Sequence, residues 1–356
     1  MKKIILTGGG TAGHATPNLA LVPFLKDAGY EILYIGSMDG IEKEIIESAG
    51  IPYKGVHTGK LRRYFTLKNF TDPFKVLKGA SEAKKIIAEF KPDIVFSKGG
   101  FVSVPVVSAA KRLRVPSITH ESDYTLGLAN KINLRSVRKI CVSFPETAEK
   151  LPENKVVVTG CPIRKELLSG SKAEGLKITG LGESRPILLV IGGSLGATAV
   201  NSAIRKVLDD LLEKYQIIHI CGKGNVDKAY ETEGYVQYEY VSEELKDLYA
   251  AADIIVSRAG ANTICEIATL KKPSLLIPLP SSSSRGDQLL NAESFKKQGF
   301  ADVLIQERMT GKEFVAKINE LYENREKYIA NLSANESGDA SKKIFDLIEQ
   351  YALKRI

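Results

Sequence analysis

Lys2-Lys3-Ile4-Ile5-Leu6-Thr7 runs directly into Gly8-Gly9-Gly10-Thr11-Ala12-Gly13-His14, and the pattern recurs at Ile187-Leu188-Leu189-Val190-Ile191 followed by Gly192-Gly193-Ser194-Leu195-Gly196. Each is an apolar run, a glycine turn and then a stretch of helical character, through Leu19 to Leu25 in the first case and from Thr198 to about Tyr215 in the second. A buried strand feeding a helix through such a turn opens a doubly wound α/β domain. Outward from these two points, strand-like runs alternate with helical ones. They cover residues 31–35, 93–97, 117–120, 139–143 and 155–159 in the first half, and 217–221, 236–240, 253–257 and 274–278 in the second. The alternation predicts parallel sheets with helices on both faces, hence two Rossmann-like doubly wound domains in tandem. Ligands of such sheets bind beyond the carboxyl ends of the strands, so two domains facing a cleft would present their glycine turns to one ligand.

A chain of 356 residues suits two domains. The expected boundary falls in Gly160-Cys161-Pro162-Ile163-Arg164, giving domains 1–163 and 164–335, with 336–356 as a charged C-terminal helix. Hydrophobic content of 44% and charged content of 26% belong to a soluble globular protein. Residues 4–25 carry no charge, yet Gly8-Gly9-Gly10, His14, Pro17 and Asn18 make them too polar for a bilayer span, and the apolar run after Lys2-Lys3 is too short for a signal peptide. Cytoplasmic placement with only peripheral membrane contact is expected. Cys141, Cys161, Cys221 and Cys265 are scattered and read as reduced, buried thiols. A net charge of +8 suggests an anionic partner: acidic lipid, a phosphorylated substrate or nucleic acid.

Gly8, Gly10 and Gly13 fall at G-x-G-x-x-G spacing, but His14 follows them, the second turn departs from that spacing, and no G-K-[ST] completes a P-loop, so neither turn is read as a dinucleotide fingerprint. Glycines still allow close backbone approach, and amides at a helix start attract phosphate, so two such turns suit a diphosphate. Lys98-Gly99-Gly100-Phe101-Val102-Ser103 is a third turn, equally readable as a simple βα connection. In Ser257-Arg258-Ala259-Gly260-Ala261-Asn262-Thr263-Ile264-Cys265-Glu266, a carboxylate in the first turns of a helix could take both hydroxyls of a ribose, or merely stabilise the helix amino end. Asp287, Gln288 and Asn291 open another helix, where they could bind sugar hydroxyls or act as caps. His14, at the mouth of the first glycine turn, is the candidate base, and His120 before Glu121-Ser122-Asp123 could serve similarly; a structural role remains open for each. With no D-x-D motif and no metal-ligand cluster, no metal and no cofactor are expected. The 60–91 region mixes Arg62, Arg63, Lys75 and Lys78 with Phe70 and Phe74. It reads as an interfacial patch for an anionic membrane surface, or as a solvated face over core aromatics. No nucleic-acid motif accompanies the charge, so nucleic acid is not expected as a partner.

Together and in this order, Gly8 through His14, Lys98 through Ser103, His120-Glu121, Gly192-Gly193-Ser194, Arg258 through Glu266, Asp287-Gln288 and Asn291-Ala292 resemble the MurG family of bacterial cell-wall glycosyltransferases. The resemblance implies a GT-B fold whose C-terminal helix returns to the first domain. It also implies transfer of N-acetylglucosamine from UDP-N-acetylglucosamine to the C4 hydroxyl of lipid I, the undecaprenyl-pyrophosphoryl-MurNAc-pentapeptide, with inversion and with lipid II as product. The site would be the cytoplasmic face of the membrane. It further implies donor contacts from Thr11, Ala12, Gly13, Asp123, Arg164, Ser194, Val241, Ala261, Asn262, Thr263, Ile264, Glu266 and Gln288. His14 would act on the acceptor hydroxyl, and Gly99, Gly100, Phe101 and Glu121 would form the acceptor-side loops. Two departures stand out: Ser122-Asp123 where the family usually reads Gln-Asn, and Leu195 where it often has glutamine. The alternatives carried forward are a UDP-sugar 2-epimerase on the same fold and a non-catalytic binding module.

Overall fold

The computed structural model describes residues 1–10, 12–59, 68–193, 196–282, 286–335 and 338–353, with the backbone alone at 12 and 68–74. The chain forms two compact units, Met1–Arg164 together with Ser337–Ile356, and Lys165–Glu336.

The first unit holds a seven-stranded sheet of β1 (Lys2–Thr7), β2 (Tyr30–Ser37), β3 (Tyr53–Val56), β4 (Ile94–Ser97), β5 (Ser117–Glu121), β6 (Lys139–Val142) and β7 (Val156–Val158), ordered β3-β2-β1-β4-β5-β6-β7. The second holds a six-stranded sheet of β8 (Ile187–Ile191), β9 (Gln216–Ile220), β10 (Tyr235–Tyr238), β11 (Ile254–Ser257), β12 (Ser274–Leu276) and β13 (Asp302–Val303), ordered β10-β9-β8-β11-β12-β13. The paired strands are all parallel. Both sheets therefore carry the expected doubly wound order, reversing between β1 and β4 and between β8 and β11.

Alternation along each central strand supplies two cores per sheet. Ile4 and Leu6 face Leu25, Tyr34 and Phe96, while Ile5 faces Val95, Val106 and Ile87. In the second unit Leu188 and Val190 face one side, and Leu189 and Ile191 the other. The C-terminal helix Ala340–Tyr351 buries Ile344 and Ile348 in the first unit's core, each contributing about 1.5–3 kcal/mol. Its Glu349 accepts from the Tyr30 hydroxyl and pairs with Lys2, so the chain's last helix belongs to its first sheet.

Two local expectations need correction. The run through Leu25 is broken: one helix spans Ala12–Leu19 and another Val22–Asp27. Pro23 has no N–H to give the Leu19 carbonyl and its ring would strike it, so the first helix stops there. The run to Tyr215 likewise divides at Val207, with helices Thr198–Lys206 and Leu208–Leu212. Asp209 and Asp210 occupy the favourable amino end of the second piece. The edge strands β3 and β13 had no apolar run to announce them: β3 reads Tyr-Lys-Gly-Val and β13 has two residues. Residues 68–90 form one helix, Lys68–Phe90, whose later turns bury Ala80, Ala83 and Ile87. That part of the basic-aromatic region is core-facing. No helix among the described residues is long and apolar enough to cross a membrane.

Candidate active site

Topology selects the loops. In the first sheet the connections after β1 and β4 part to opposite faces, and in the second those after β8 and β11 do the same. Such switch points are where doubly wound sheets hold ligands. The four loops involved are the four glycine-bearing segments singled out above.

In the first unit the turns after β1 and β4 touch. Gly100 has φ +77, and a Cβ there would lie 2.3 Å from the Gly9 carbonyl oxygen. Gly10 has φ +96, and a Cβ on it would meet the Phe101 ring at 2.4 Å. Only glycine permits both the left-handed backbone and this approach. Glu42 braces the turn from below. It is fully buried and accepts the amides of Ser37 at 3.0 Å and Gly10 at 3.2 Å, together with the Ser37 hydroxyl. Sequence reasoning missed Glu42, because its signal is only an acid in the first turn of the helix Ile41–Ser48.

His14 is half-buried near the start of the helix Ala12–Leu19. That helix is tied to the end of β1 by the Asn18 amide, which reaches the carbonyls of Thr7 (3.3 Å) and His14 (3.2 Å) and the Tyr34 hydroxyl (3.2 Å). Tyr34 donates in turn to the Gly8 carbonyl at 2.7 Å. Burial holds its phenol far above the ordinary range, so it remains a neutral donor.

His120 does not have the open position expected of a second candidate base. It is fully buried, its Nε2 lies 2.8 Å from the Gly160 carbonyl and its Nδ1 lies 2.8 Å from the Lys98 ammonium. A carbonyl only accepts, so Nε2 carries the proton and Nδ1 accepts from Lys98. Burial first, then the Lys98 charge, push its pKa well below the usual histidine value. Glu121 also differs from an acceptor contact. Its carboxylate takes the amides of Asp123 (3.2 Å) and Gly127 (2.8 Å) and the Asn130 side chain (3.0 Å), which shapes the turn after β5. Burial raises its pKa despite these bonds. Gly99, at φ +82, is pressed against Asn130, and Asp123 lies half-buried on the turn that Glu121 organises.

In the second unit Gly193 and Gly196 take φ +88 and +75, and a Cβ on Gly196 would lie 2.2 Å from the Cys221 carbonyl oxygen. Asn201 donates to that carbonyl at 2.9 Å; its oxygen faces His219 Nε2 at 3.0 Å, while the Tyr235 hydroxyl meets Nδ1 at 2.7 Å. Burial pushes His219 down to about 3. After β11, Gly260 precedes the helix Ala261–Thr269. Ala261 and Ile264 are buried, whereas Asn262, Thr263 and Glu266 are partly exposed. The four-residue spacing puts Asn262 and Glu266 on one face. Arg258 is buried, and one nitrogen of its guanidinium donates to the Ile277 carbonyl at 3.0 Å and the Pro278 carbonyl at 3.4 Å, tying the turn after β11 to the end of β12. Gln288 receives the Leu279 amide on its oxygen at 3.0 Å, which points the carboxamide in a fixed direction. Asn291 is fully buried and donates to the Ala259 carbonyl at 3.1 Å, so its amide nitrogen supports the turn after β11. Val241 joins the apolar cluster of Leu245 and Tyr238, and Arg164, half-buried, ends the first unit's main segment.

The expectations for Thr11, Ser194, Leu195, Arg62 and Arg63 fall outside the described residues, as do those for the side chains of Ala12, Phe70 and Phe74. Lys75 and Lys78 are exposed on the long helix, and Lys78 lies 3.1 Å from His57 Nε2, whose Nδ1 meets Glu82 at 2.7 Å.

The glycosyltransferase family 28 N-terminal domain model matches residues 4–142, and the corresponding C-terminal domain model matches residues 187–351. The chain is 58% identical over 99% of its length, and 99% of the relative's, to the UDP-N-acetylglucosamine--N-acetylmuramyl-(pentapeptide) pyrophosphoryl-undecaprenol N-acetylglucosamine transferase of Clostridium botulinum (strain Loch Maree / Type A3). It is 57% identical to the protein of that name from Lachnospira eligens, covering 98% of this chain and 99% of the other. Among solved structures it is similar to Acinetobacter baumannii MurG, at 26% identity and a TM-score of 0.78 over 98% of this chain and all of that one. The calicheamicin glycosyltransferase CalG4 shares the fold at 13% identity and a TM-score of 0.71, over 99% of this chain and 98% of that one. The fold is thus GT-B, and the 2-epimerase alternative finds no support in these relatives. With its sequence matched from end to end, the chain belongs to the MurG family within glycosyltransferase family 28.

Proposed function

We propose that this protein transfers N-acetylglucosamine from UDP-N-acetylglucosamine to the C4 hydroxyl of the MurNAc-pentapeptide of lipid I, forming lipid II for peptidoglycan synthesis. The observation that carries the reading is the identity of 58% along 99% of both chains with a transferase whose name states that donor and acceptor. The acceptor is lipid-linked, so the chain works at a membrane, and we place it peripherally on the cytoplasmic face.

The transfer is a single inverting displacement. The C4 oxygen attacks the anomeric carbon, the bond from that carbon to the UDP oxygen breaks, and His14 takes the hydroxyl proton. His14 suits this role because it is half-buried at the mouth of the first glycine turn on a helix anchored by Asn18. In the second unit Glu266 binds the ribose hydroxyls, and Asn262 shares its helix face. Ala261, Thr263, Ile264 and Val241 frame the nucleoside, Ser194 and Arg164 meet the diphosphate, and Gln288 meets the sugar. Thr11, Ala12 and Gly13 approach the donor from the first glycine turn, and Asp123 takes a sugar hydroxyl. Gly99, Gly100 and Phe101 border the acceptor, while Glu121 acts by shaping its loop. Amides, hydroxyls and arginine stabilise the departing diphosphate, which needs oriented donors more than any particular cation.

Incubation with labelled UDP-N-acetylglucosamine and lipid I tests the reading: label must pass to the lipid fraction, and release of free sugar or epimerised nucleotide alone would overturn it. Membrane contact is tested by replacing Arg62, Arg63, Lys75 and Lys78 with Glu. At about 1 kcal/mol per basic residue near an anionic surface, the variant should leave phosphatidylserine-containing vesicles. Unchanged binding at low salt would reduce the patch to a solvated face.

A further inference from the structure

Lys98 has no part in the reaction just described, yet it is the most unusual residue near the first switch point. It follows β4 and is only 3% exposed, with its Cβ 3.2 Å from where a side chain on Gly8 would begin. Its hydrogen-bond partners among the described residues are His120 Nδ1, at 2.8 Å, and the Ser122 hydroxyl. Both are neutral. Two neutral hydrogen-bond partners, with the Glu121 charge felt only through space, offset poorly the loss of an ammonium's water shell, and a methionine of similar length would pack there at less cost. Ser122 approaches Cys161 Sγ at 3.6 Å, and His120 reaches Gly160 on the same segment. The ammonium therefore stands at the centre of a chain of contacts linking the β4 turn, the β5 turn and the segment after β7.

We propose that Lys98 is a positioning residue for the transfer reaction, fixing His120 in its Nε2-protonated neutral form and holding Ser122 so that the neighbouring Asp123 is presented in one orientation. The inference rests on the function proposed above. The groups around His120 leave the ammonium as the decisive one. Glu121 beside it is engaged with the Asp123 and Gly127 amides, Cys141 across on β6 is a thiol whose pKa burial pushes up to about 12, and Cys161 contacts Ser122. Among the contacts that hold the Ser122-Asp123 turn, Glu121 binds its backbone, and Lys98 binds the Ser122 side chain more closely than Cys161 does. Removing the Lys98 contact leaves the backbone path in place and lets the turn shift, the kind of misplacement that costs rate more than stability.

The test compares Lys98→Met, Ser122→Ala and the double variant with the unaltered protein, using lipid I and labelled UDP-N-acetylglucosamine. Lys98→Met should lower kcat about 10- to 100-fold, the range that misplacing a substrate-positioning group by about an ångström can cost. UDP affinity should change less than about twofold, because the nucleotide contacts are assigned to the second unit. Ser122→Ala should cost about 3- to 10-fold, and the double variant should be no slower than Lys98→Met, since residues acting through one contact are non-additive. Nitrogen NMR should find His120 protonated on Nε2 between about pH 6 and 8 in the unaltered protein, with a second tautomer or a titration appearing in Lys98→Met. Full activity in Lys98→Met, or independent multiplication of the two single effects, overturns the proposal. A loss of UDP binding and of thermal stability in step with rate also overturns it, since that marks a purely structural lysine. Ser122→Ala, a mild change, keeps the comparison decisive should Lys98→Met fold poorly. An inactive unaltered protein would count against the transferase reading instead.

Discussion

The two glycine turns open two sheets of the same winding, but they rest on different foundations. Under the first lie charged and titratable groups out of water: Glu42 on the Gly10 amide, Lys98 against His120, and Glu121 on the next turn. Under the second the links are mostly neutral: Tyr235, His219 and Asn201 lead to the Cys221 carbonyl that Gly196 abuts, with one part-buried charge, the Arg205 guanidinium, at the edge against Cys221 Sγ. Each arrangement satisfies its backbone, so satisfaction alone does not explain the contrast. Buried charges are expensive, and they gather where proton chemistry or a tuned local field is needed. The contrast suits the division of labour proposed above, in which the first unit handles the nucleophile and its proton and the second holds the donor.

The largest test of that division is His14→Ala. Loss of a general base costs about 10²–10⁴-fold in rate, and this variant should lose turnover on that scale with UDP binding intact. A fully active variant would remove proton transfer from the first turn. Glu266→Ala probes the platform. Loss of charge-assisted hydrogen bonds worth about 1.5–3 kcal/mol should raise the KM for UDP-N-acetylglucosamine about 10- to 100-fold with little change in kcat. Equal loss in kcat at saturating donor would place Glu266 in the chemical step.

Acid should weaken both foundations. His219 is held down to about 3, against about 6.5 for an unfolded histidine, so unfolding takes up a proton between those values. Its contribution is complete above about pH 6.5 and is lost as pH falls towards 3, amounting to about 2 kcal/mol by pH 5. His120 acts in the same direction. Urea midpoints measured from pH 7 to 5 should fall, and His219→Gln should flatten the slope; an unchanged slope would mean that another group carries the acid sensitivity. The smallest expected effect belongs to Asp123→Asn. If Asp123 only accepts from a sugar hydroxyl, the amide should cost at most about tenfold, roughly 1.4 kcal/mol. A nearly dead Asp123→Asn beside an active His14→Ala would exchange their roles.

The repeated strand-turn-helix pattern was enough to read two parallel doubly wound sheets, because apolar periodicity and glycine punctuation are local properties that act wherever the chain goes. The interior strands were legible for that reason, whereas β3 and β13, short and at sheet edges, lack the apolar runs that burial on two faces demands. Resemblance carried the candidate site further than the residue pattern did, since a histidine, an asparagine or a carboxylate looks the same in sequence whether it faces ligand or backbone. The fold decided that question one group at a time. It closed His120 between Lys98 and Gly160, turned Asn291 onto Ala259 and engaged Glu121 in its own turn, and it brought in Glu42, which no motif contained, and Lys98, which stood in the third glycine segment without an assigned role. Those choices depend on partners 6 to 40 positions away in the chain, and only the packing of strands and helices determines which polar group meets which.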